Sequence, residues 1–282
     1  MQAIHIISTA PYYAGHPQGV YSMDKFELYS AALSALSWRS FGDEITLVTD
    51  KRGREYIEKI GIADIWNSVQ DIIPDDLEGI NPKMFWAAGK LFALREVNAP
   101  VAMIDTDFIL WERPNFPENR ITAAHRENLN PSVYPSFDYF KFKRSFSLEG
   151  MDKNVLPMNT AFLYLPEEDF KQYYVNRSIA FMKSAADTDD YLCYMVFAEQ
   201  RLLSICAEEK KIGSQVLMDK DELFFPREDF THLWGAKQVM RSNVGQLHDF
   251  CQRARERIRK TFPDYEHLIG KIEAAEWKRT NG

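Results

Sequence analysis

An α/β fold with a mainly parallel sheet is predicted by three features of the sequence. Short apolar runs of strand character recur at Ala3-Ile4-His5-Ile6-Ile7, Glu44-Ile45-Thr46-Leu47-Val48-Thr49 and Val101-Ala102-Met103-Ile104. Helical patterns fill the intervals between them. Polar residues follow each run, at Ser8-Thr9, Asp50 and Asp105-Thr106-Asp107, where open α/β sheets collect their ligands. With 282 residues, 45% hydrophobic and 27% charged, the chain is long and apolar enough for a substantial core and is not a disordered one.

The elements follow in order. The first run ends in loop chemistry, Ser8-Thr9-Ala10-Pro11. Asp24 is placed to N-cap a helix whose apolar face is Phe26, Tyr29, Ala32, Leu33 and Leu36, and Gly42 stops it. Residues 53–60 suit a short helix, and Pro82 opens a longer one reaching about Val97. Residues 108–157, with several prolines and aromatics, read as an irregular excursion over the strand ends, and Leu156–Leu165 resumes strand character. Residues 190–211 form the strongest helical pattern, with Leu192, Met195, Val196, Leu202, Leu203 and Cys206 on one stripe. Glu199 lies on that stripe and should point inward, where a carboxylate needs a partner or a polar cavity; a buried ion pair with an arginine is the structural alternative. A last helix from Val244 carries Leu247, Phe250, Cys251, Ala254 and Ile258 on its apolar side and ends near Pro263. No repeat or low-complexity linker divides the chain, so residues 1–243 are expected as one domain, with 244–282 as a helical extension packed on it.

Charge and cysteine usage narrow the function. Thirty-four basic against 41 acidic residues give a net charge of -7, which disfavours a broad nucleic-acid surface. Cys193, Cys206 and Cys251 show no CxxC spacing, which argues against a disulfide framework or zinc knuckle and for a reducing, cytoplasmic setting. The N-terminus lacks the basic and apolar regions of a signal peptide, and no apolar run reaches membrane-spanning length. The run Arg253, Arg255, Arg257, Arg259, Lys260 is interrupted by Glu256 and spreads around its helix as a solvated face; weak peripheral membrane contact through 253–260 is the alternative.

Asp105 and Asp107 carry the clearest chemistry. In extended backbone, residues two apart face the same side, so both carboxylates can meet one hard divalent cation, manganese or magnesium. Such a cation neutralises the charge of a departing diphosphate, whereas the structural alternative is a capped turn. The segment His232-Leu233-Trp234-Gly235-Ala236-Lys237 adds an imidazole, a permissive glycine and a cation within six residues. Asp187-Thr188-Asp189-Asp190 offers a second acidic cluster, but it immediately precedes the strong helix and reads as its cap.

Asp105-Thr106-Asp107, the stretch Asn159-Thr160-Ala161-Phe162-Leu163-Tyr164-Leu165, Glu199-Gln200 and His232 through Lys237 together resemble the ordered landmarks of GT-A fold glycosyltransferases, especially glycosyltransferase family 8 and its relatives. The resemblance implies a Rossmann-like, mainly parallel mixed sheet flanked by helices, and a metal-dependent hexosyltransferase-like enzyme. Its donor would be a nucleotide-diphosphate sugar, most simply a UDP-sugar, and its acceptor a glycan or other hydroxyl in glycan or polysaccharide synthesis. It further implies that Asp105, Asp107 and His232 hold manganese, with Thr106 beside them, and that Gly235 and Lys237 meet the diphosphate. Thr9 and Ala10 would lie at the nucleoside, Asp50 at its base, and Lys90, or alternatively Lys83, would face the donor. Asn159 and Gln200 would lie near the transferred sugar, with Glu199 as general base in an inverting reaction or as a stabiliser of positive charge in a retaining one. Two other readings stand beside this one: a haloacid-dehalogenase-like phosphatase using the Asp105-Thr106-Asp107 pair, and a non-catalytic nucleotide-sugar or glycan binding module.

Overall fold

The computed structural model of the chain describes residues 1–222 and 227–275. The first half runs β1 (Gln2–Ile7), α1 (Ala10–Gly15), α2 (Lys25–Ser40), β2 (Glu44–Thr49), α3 (Lys51–Ile60), β3 (Ser68–Gln70), α4 (Ala88–Glu96), β4 (Val101–Ile104), β5 (Phe108–Leu110) and β6 (Arg120–Ala123). The second runs β7 (Phe162–Leu165), α5 (Glu168–Ser184), α6 (Tyr191–Val196), α7 (Leu202–Lys210), β8 (Gly213–Val216), β9 (Phe230–His232), α8 (Ala236–Ser242), α9 (Val244–Thr261) and α10 (His267–Ala274).

Seven strands form one mixed sheet in the order β3-β2-β1-β4-β7-β6-β8, and β5 pairs with β9 in a separate ribbon. All neighbours in the large sheet are parallel except β7, which is antiparallel to both β4 and β6. The α/β class with a mainly parallel sheet is therefore the one the chain adopts. Both faces of the sheet are covered, which is why its central strands read as continuous apolar runs. One face packs against α4, α5 and α7; the other packs against α2, α9 and α10.

Local chemistry sets many of the boundaries. The Asp24 amide donates to Glu27 Oε2 at 2.8 Å to open α2, and Gly42, at φ +79°, ends it with a conformation few side chains tolerate. Asp190 accepts from the Cys193 amide at the start of α6, so the acidic cluster before that helix does contain its cap. In the C-terminal stretch, Cys251, Ala254 and Ile258 are buried, and Leu268 and Ile272 join the same core against α2. Residues 276–282 of the 244–282 stretch lie outside the described residues. Of its basic run, Arg255 pairs with Glu273, Arg259 with Glu266, and Arg257 covers the Trp111 ring.

Several expectations are corrected. The loop after β1 is only Ser8 and Thr9: Ala10–Gly15 is a short helix with Pro11 in its first turn, where a missing amide costs nothing. The helix expected from Pro82 begins only at Ala88, after a run of turns. The excursion 108–157 contains β5 and β6, and β7 starts at Phe162, later than the expected Leu156. Residues 190–211 are not one α-helix, because a π turn over Phe197–Arg201 separates α6 from α7. Leu192 is 46% exposed instead of lying on the buried stripe, since the first turn of α6 stands at the surface.

Candidate active site

β1 and β4 lie side by side and parallel, so Ser8 and the Asp105-Thr106-Asp107 segment emerge at the same edge of the sheet. They border a cavity of about 600 Å³ at the strand ends. The aspartates do not reach it by strand alternation, as their spacing suggested. β4 ends at Ile104, and residues 105–108 make a turn in which the Phe108 amide donates to the Asp105 carbonyl at 2.9 Å. The turn is held from the next strand over by the Asp105 amide, which donates to the Ala161 carbonyl at 2.8 Å.

Long-range pairing supplies the histidine. In the β5–β9 ribbon Phe108 stands opposite His232, and the Leu233 amide donates to the Asp107 carbonyl at 3.1 Å. His232 Nε2 is thereby set 4.0 Å from Asp107 Oδ2, with both side chains nearly buried. Lys237, in the first turn of α8, places its ammonium 2.8 Å from the same Oδ2. Arg241, further along α8, holds that helix to the start of α2 through Asp24 at 3.0 Å and Glu27 at 2.6 Å.

The opposite wall is built by α4 and the π turn. Lys90 lies 2.7 Å from Asp105 Oδ1 and 2.8 Å from Glu199 Oε1. Thr160 donates to Glu199 Oε1 at 2.6 Å, and the Tyr174 hydroxyl donates to the Glu199 carbonyl at 2.6 Å. Single π turns inside helices recur at functional sites, and here the turn carries both Glu199 and Gln200 to the cavity. The expected buried ion pair of Glu199 exists, but its cation is Lys90 and not an arginine. Gln200 Oε1 accepts from the Tyr134 hydroxyl at 2.5 Å, and Asn159 Nδ2 donates to Glu127 Oε1 at 3.3 Å.

The charges balance: Asp105, Asp107 and Glu199 face Lys90, Lys237 and Arg241 around one cavity. Burial, opposed by Lys90 and reinforced by Asp107 and Glu199, pushes the Asp105 carboxyl up to about 6. Burial works against the charge of Lys90, yet the carboxylates of Asp105 and Glu199 outweigh it and raise its pKa. Burial, only partly opposed by Asp107, lowers His232 to about 4, leaving a neutral imidazole at pH 7.

Among the described residues, no three carboxylate, imidazole or thiolate groups form a ready metal cage. The donor set nevertheless suits a hard divalent cation. His232 is neutral, its Nε2 faces Asp107 Oδ2 at 4.0 Å, and Lys237, 38% exposed, can leave that carboxylate when a cation takes its place.

The other expected residues divide between two places. Thr106, Asn159, Gln200, Gly235 and Lys237 line the cavity with the residues above. Thr9 and Ala10 line a separate pocket of about 260 Å³ with Tyr13 and Arg52. Asp50 is 1% exposed, and its carboxylate already accepts from the Thr9 amide, the Thr9 hydroxyl and the Gly53 amide at 2.5, 2.8 and 2.9 Å. It therefore shapes the loop at Thr9 and is not available to a base. Lys83 is exposed and lines neither pocket.

Four contributors receive no site role from sequence reasoning. Ser8 borders the cavity with a buried, unpartnered hydroxyl, and Gly89 lets α4 approach it, since a Cβ there would lie 2.7 Å from Ser8 Cβ. Thr160 and Arg241 orient Glu199 and α8. Only Ser8 had a local signal, as the first polar residue after β1.

The chain belongs to a family of unknown function (DUF6734), whose family model matches residues 14–272. No curated protein matches it in sequence. Among solved structures it is similar to the PaToxG glycosyltransferase, at 10% identity and a TM-score of 0.42 over 95% of this chain and 86% of that one. It is also similar to the galactosyltransferase LgtC solved with donor and acceptor sugar analogues, at 10% identity and a TM-score of 0.44 over 77% and 73% of the two chains. Mouse xyloside xylosyltransferase 1 is similar at 12% identity and a TM-score of 0.36, over 77% of this chain and 85% of that one. No described helix is long and apolar enough to cross a membrane.

Proposed function

We propose that the chain is a metal-dependent glycosyltransferase that moves a sugar from a nucleotide-diphosphate donor, a UDP-sugar, to a hydroxyl of a glycan acceptor. The observation that carries this reading is the convergence of Asp105, Asp107, His232, Lys237 and Glu199 on one cavity at the ends of β1 and β4. Carboxylates and a neutral imidazole suit a divalent cation, while lysines suit the phosphates that such a cation bridges.

Asp105, Asp107 and His232 would hold manganese or magnesium, which when bound supplies charge neutralisation for the departing diphosphate. Lys237 would exchange Asp107 for a phosphate oxygen, and Gly235, at the start of the same turn, leaves room for that approach. Thr160 and Lys90 both contact Oε1 of the Glu199 carboxylate, so Oε2 would be the atom to meet the reacting sugar or an acceptor hydroxyl. Asn159 and Gln200 would orient the transferred sugar.

Calorimetric titration of UDP into metal-stripped protein, with and without manganese, tests the donor site. Binding should require manganese and weaken at least about tenfold in Asp107→Ala, the size of losing one charged contact. Metal-dependent binding that persists in both Asp105→Ala and Asp107→Ala would overturn the assignment.

A further inference from the structure

The chain has six tryptophans. Among the described ones, Trp38 and Trp66 are buried, and their indole N–H groups donate to the Glu44 carbonyl and to His5 Nδ1. Trp111 is partly buried and donates to Thr231. Trp86 and Trp234 differ on every count. They are 41% and 54% exposed, neither indole N–H donates to a partner among the described residues, and both line the cavity that holds Asp105, Asp107 and Glu199. Two of the largest apolar side chains thus stay partly exposed at one cavity, a placement that suits a ligand.

Trp86 immediately precedes Ala87, whose amide donates to Met195 Sδ in the helix that leads into the π turn of Glu199. Trp234 sits between His232 and Gly235 at the start of α8. Neither lines the pocket of Thr9, Ala10, Tyr13 and Arg52, where the nucleoside of a donor would lie. Trp86 also borders a second pocket of about 350 Å³ with Ser8, Thr106, Asp107 and Lys237, so the two rings stand beside the metal and diphosphate residues, and their exposure leaves both faces open to an entering acceptor.

We propose that Trp86 and Trp234 are an acceptor subsite that stacks on the C–H faces of pyranose rings, so that the acceptor is an oligosaccharide. This rests on the glycosyltransferase reading for its role, though not for the binding itself. An aromatic face takes the apolar side of a sugar, while Gln200 on one side of the cavity and Gln238 on the other line it with amide groups suited to its hydroxyls. The largely polar lining of the cavity suits hydroxyl-bearing rings better than an acyl chain.

The test is binding of the full chain to an array of neutral and acidic oligosaccharides, with a peptide array in parallel and UDP affinity measured by calorimetry. Oligosaccharides should be retained, and Trp86→Ala and Trp234→Ala should each weaken their binding about tenfold or more, with Trp→Phe variants recovering part of it. UDP affinity should change less than about twofold in Trp86→Ala, by the same tenfold-per-1.4 kcal/mol scale. Retention of peptides without oligosaccharides, or no retention by either array, would overturn the subsite. So would oligosaccharide binding indifferent to both tryptophans, or a parallel loss of UDP affinity in Trp86→Ala. Tryptophan-dependent oligosaccharide binding without any UDP binding would sink the transferase reading and leave the saccharide site standing.

Discussion

The ammonium of Lys90 lies 2.8 Å from Glu199 Oε1, joining the first turn of α4 to the π turn between α6 and α7. The same ammonium reaches Asp105 at 2.7 Å. One cation thus holds together three segments that are remote in the chain, and two carboxylates depend on it. Removing a partner from such a pair costs more than forming it gained, because the remaining charge stays desolvated. Lys90→Ala should lower stability by about 3 kcal/mol in urea titrations. Adding Glu199→Gln should restore part of the loss, and purely additive effects would show that the two groups are not coupled.

Thr160 offers a narrower probe of the same carboxylate. Its hydroxyl donates 2.6 Å to Glu199 Oε1 from a position that is 1% exposed. Thr160→Val keeps the shape and removes the donor, and hydrogen bonds to charged groups contribute about 2 kcal/mol. The variant should show that loss in the urea midpoint with an unchanged slope. A stability equal to that of the parent chain would mean the hydroxyl contributes nothing to holding Glu199.

His5 predicts a pH dependence. Trp66 Nε1 donates to His5 Nδ1 at 3.0 Å, which leaves the proton on Nε2, 3.0 Å from Ser34 Oγ, and Ser34 in turn donates to the Phe108 carbonyl. Burial, weakly opposed by Asp107, lowers the folded pKa to about 3 from an ordinary 6.5. A histidine whose folded pKa is depressed stabilises the native state above the unfolded value. That stability declines as pH falls below about 6.5 toward 3, because the unfolded chain takes up the proton first. Between pH 7 and 5 the loss should be about 2 kcal/mol. His5→Gln should remove that share of the pH dependence of the urea midpoint, leaving the share contributed by His232, whose folded pKa is also depressed; an equal slope in both proteins would contradict the assignment.

Arg241 predicts a local effect. It reaches Asp24 and Glu27 at the start of α2 while about half exposed, so its removal should leave the global unfolding midpoint nearly unchanged. Hydrogen exchange of 236–242 in Arg241→Ala should accelerate, because the helix that carries Lys237 loses its tether. Exchange rates equal to those of the parent chain would show that α8 is held by Met240 and its neighbours alone.

The sequence by itself determined the layers and the strand ends. Periodicity of apolar residues places β1, β2 and β4 because a sheet covered on both faces needs uninterrupted apolar runs, and Asp105-Thr106-Asp107 follows the last of these. Asp24, Asp190 and Pro263 mark helix ends for reasons contained in a few residues. The tertiary structure decided what those strand ends meet. His232 reaches Asp107 only through the β5–β9 ribbon, and Glu199 meets Lys90, a residue of a separate helix, from within a π turn that local spacing reads as continuous α-helix. Asp50 shows the converse, since its place at a strand end resembled a ligand contact until the fold committed each of its oxygens to backbone and hydroxyl donors. Local propensity and capping act over a few residues and are written in order along the chain. The electrostatic pairing that builds the site acts through space, between groups whose proximity exists only once the core has closed.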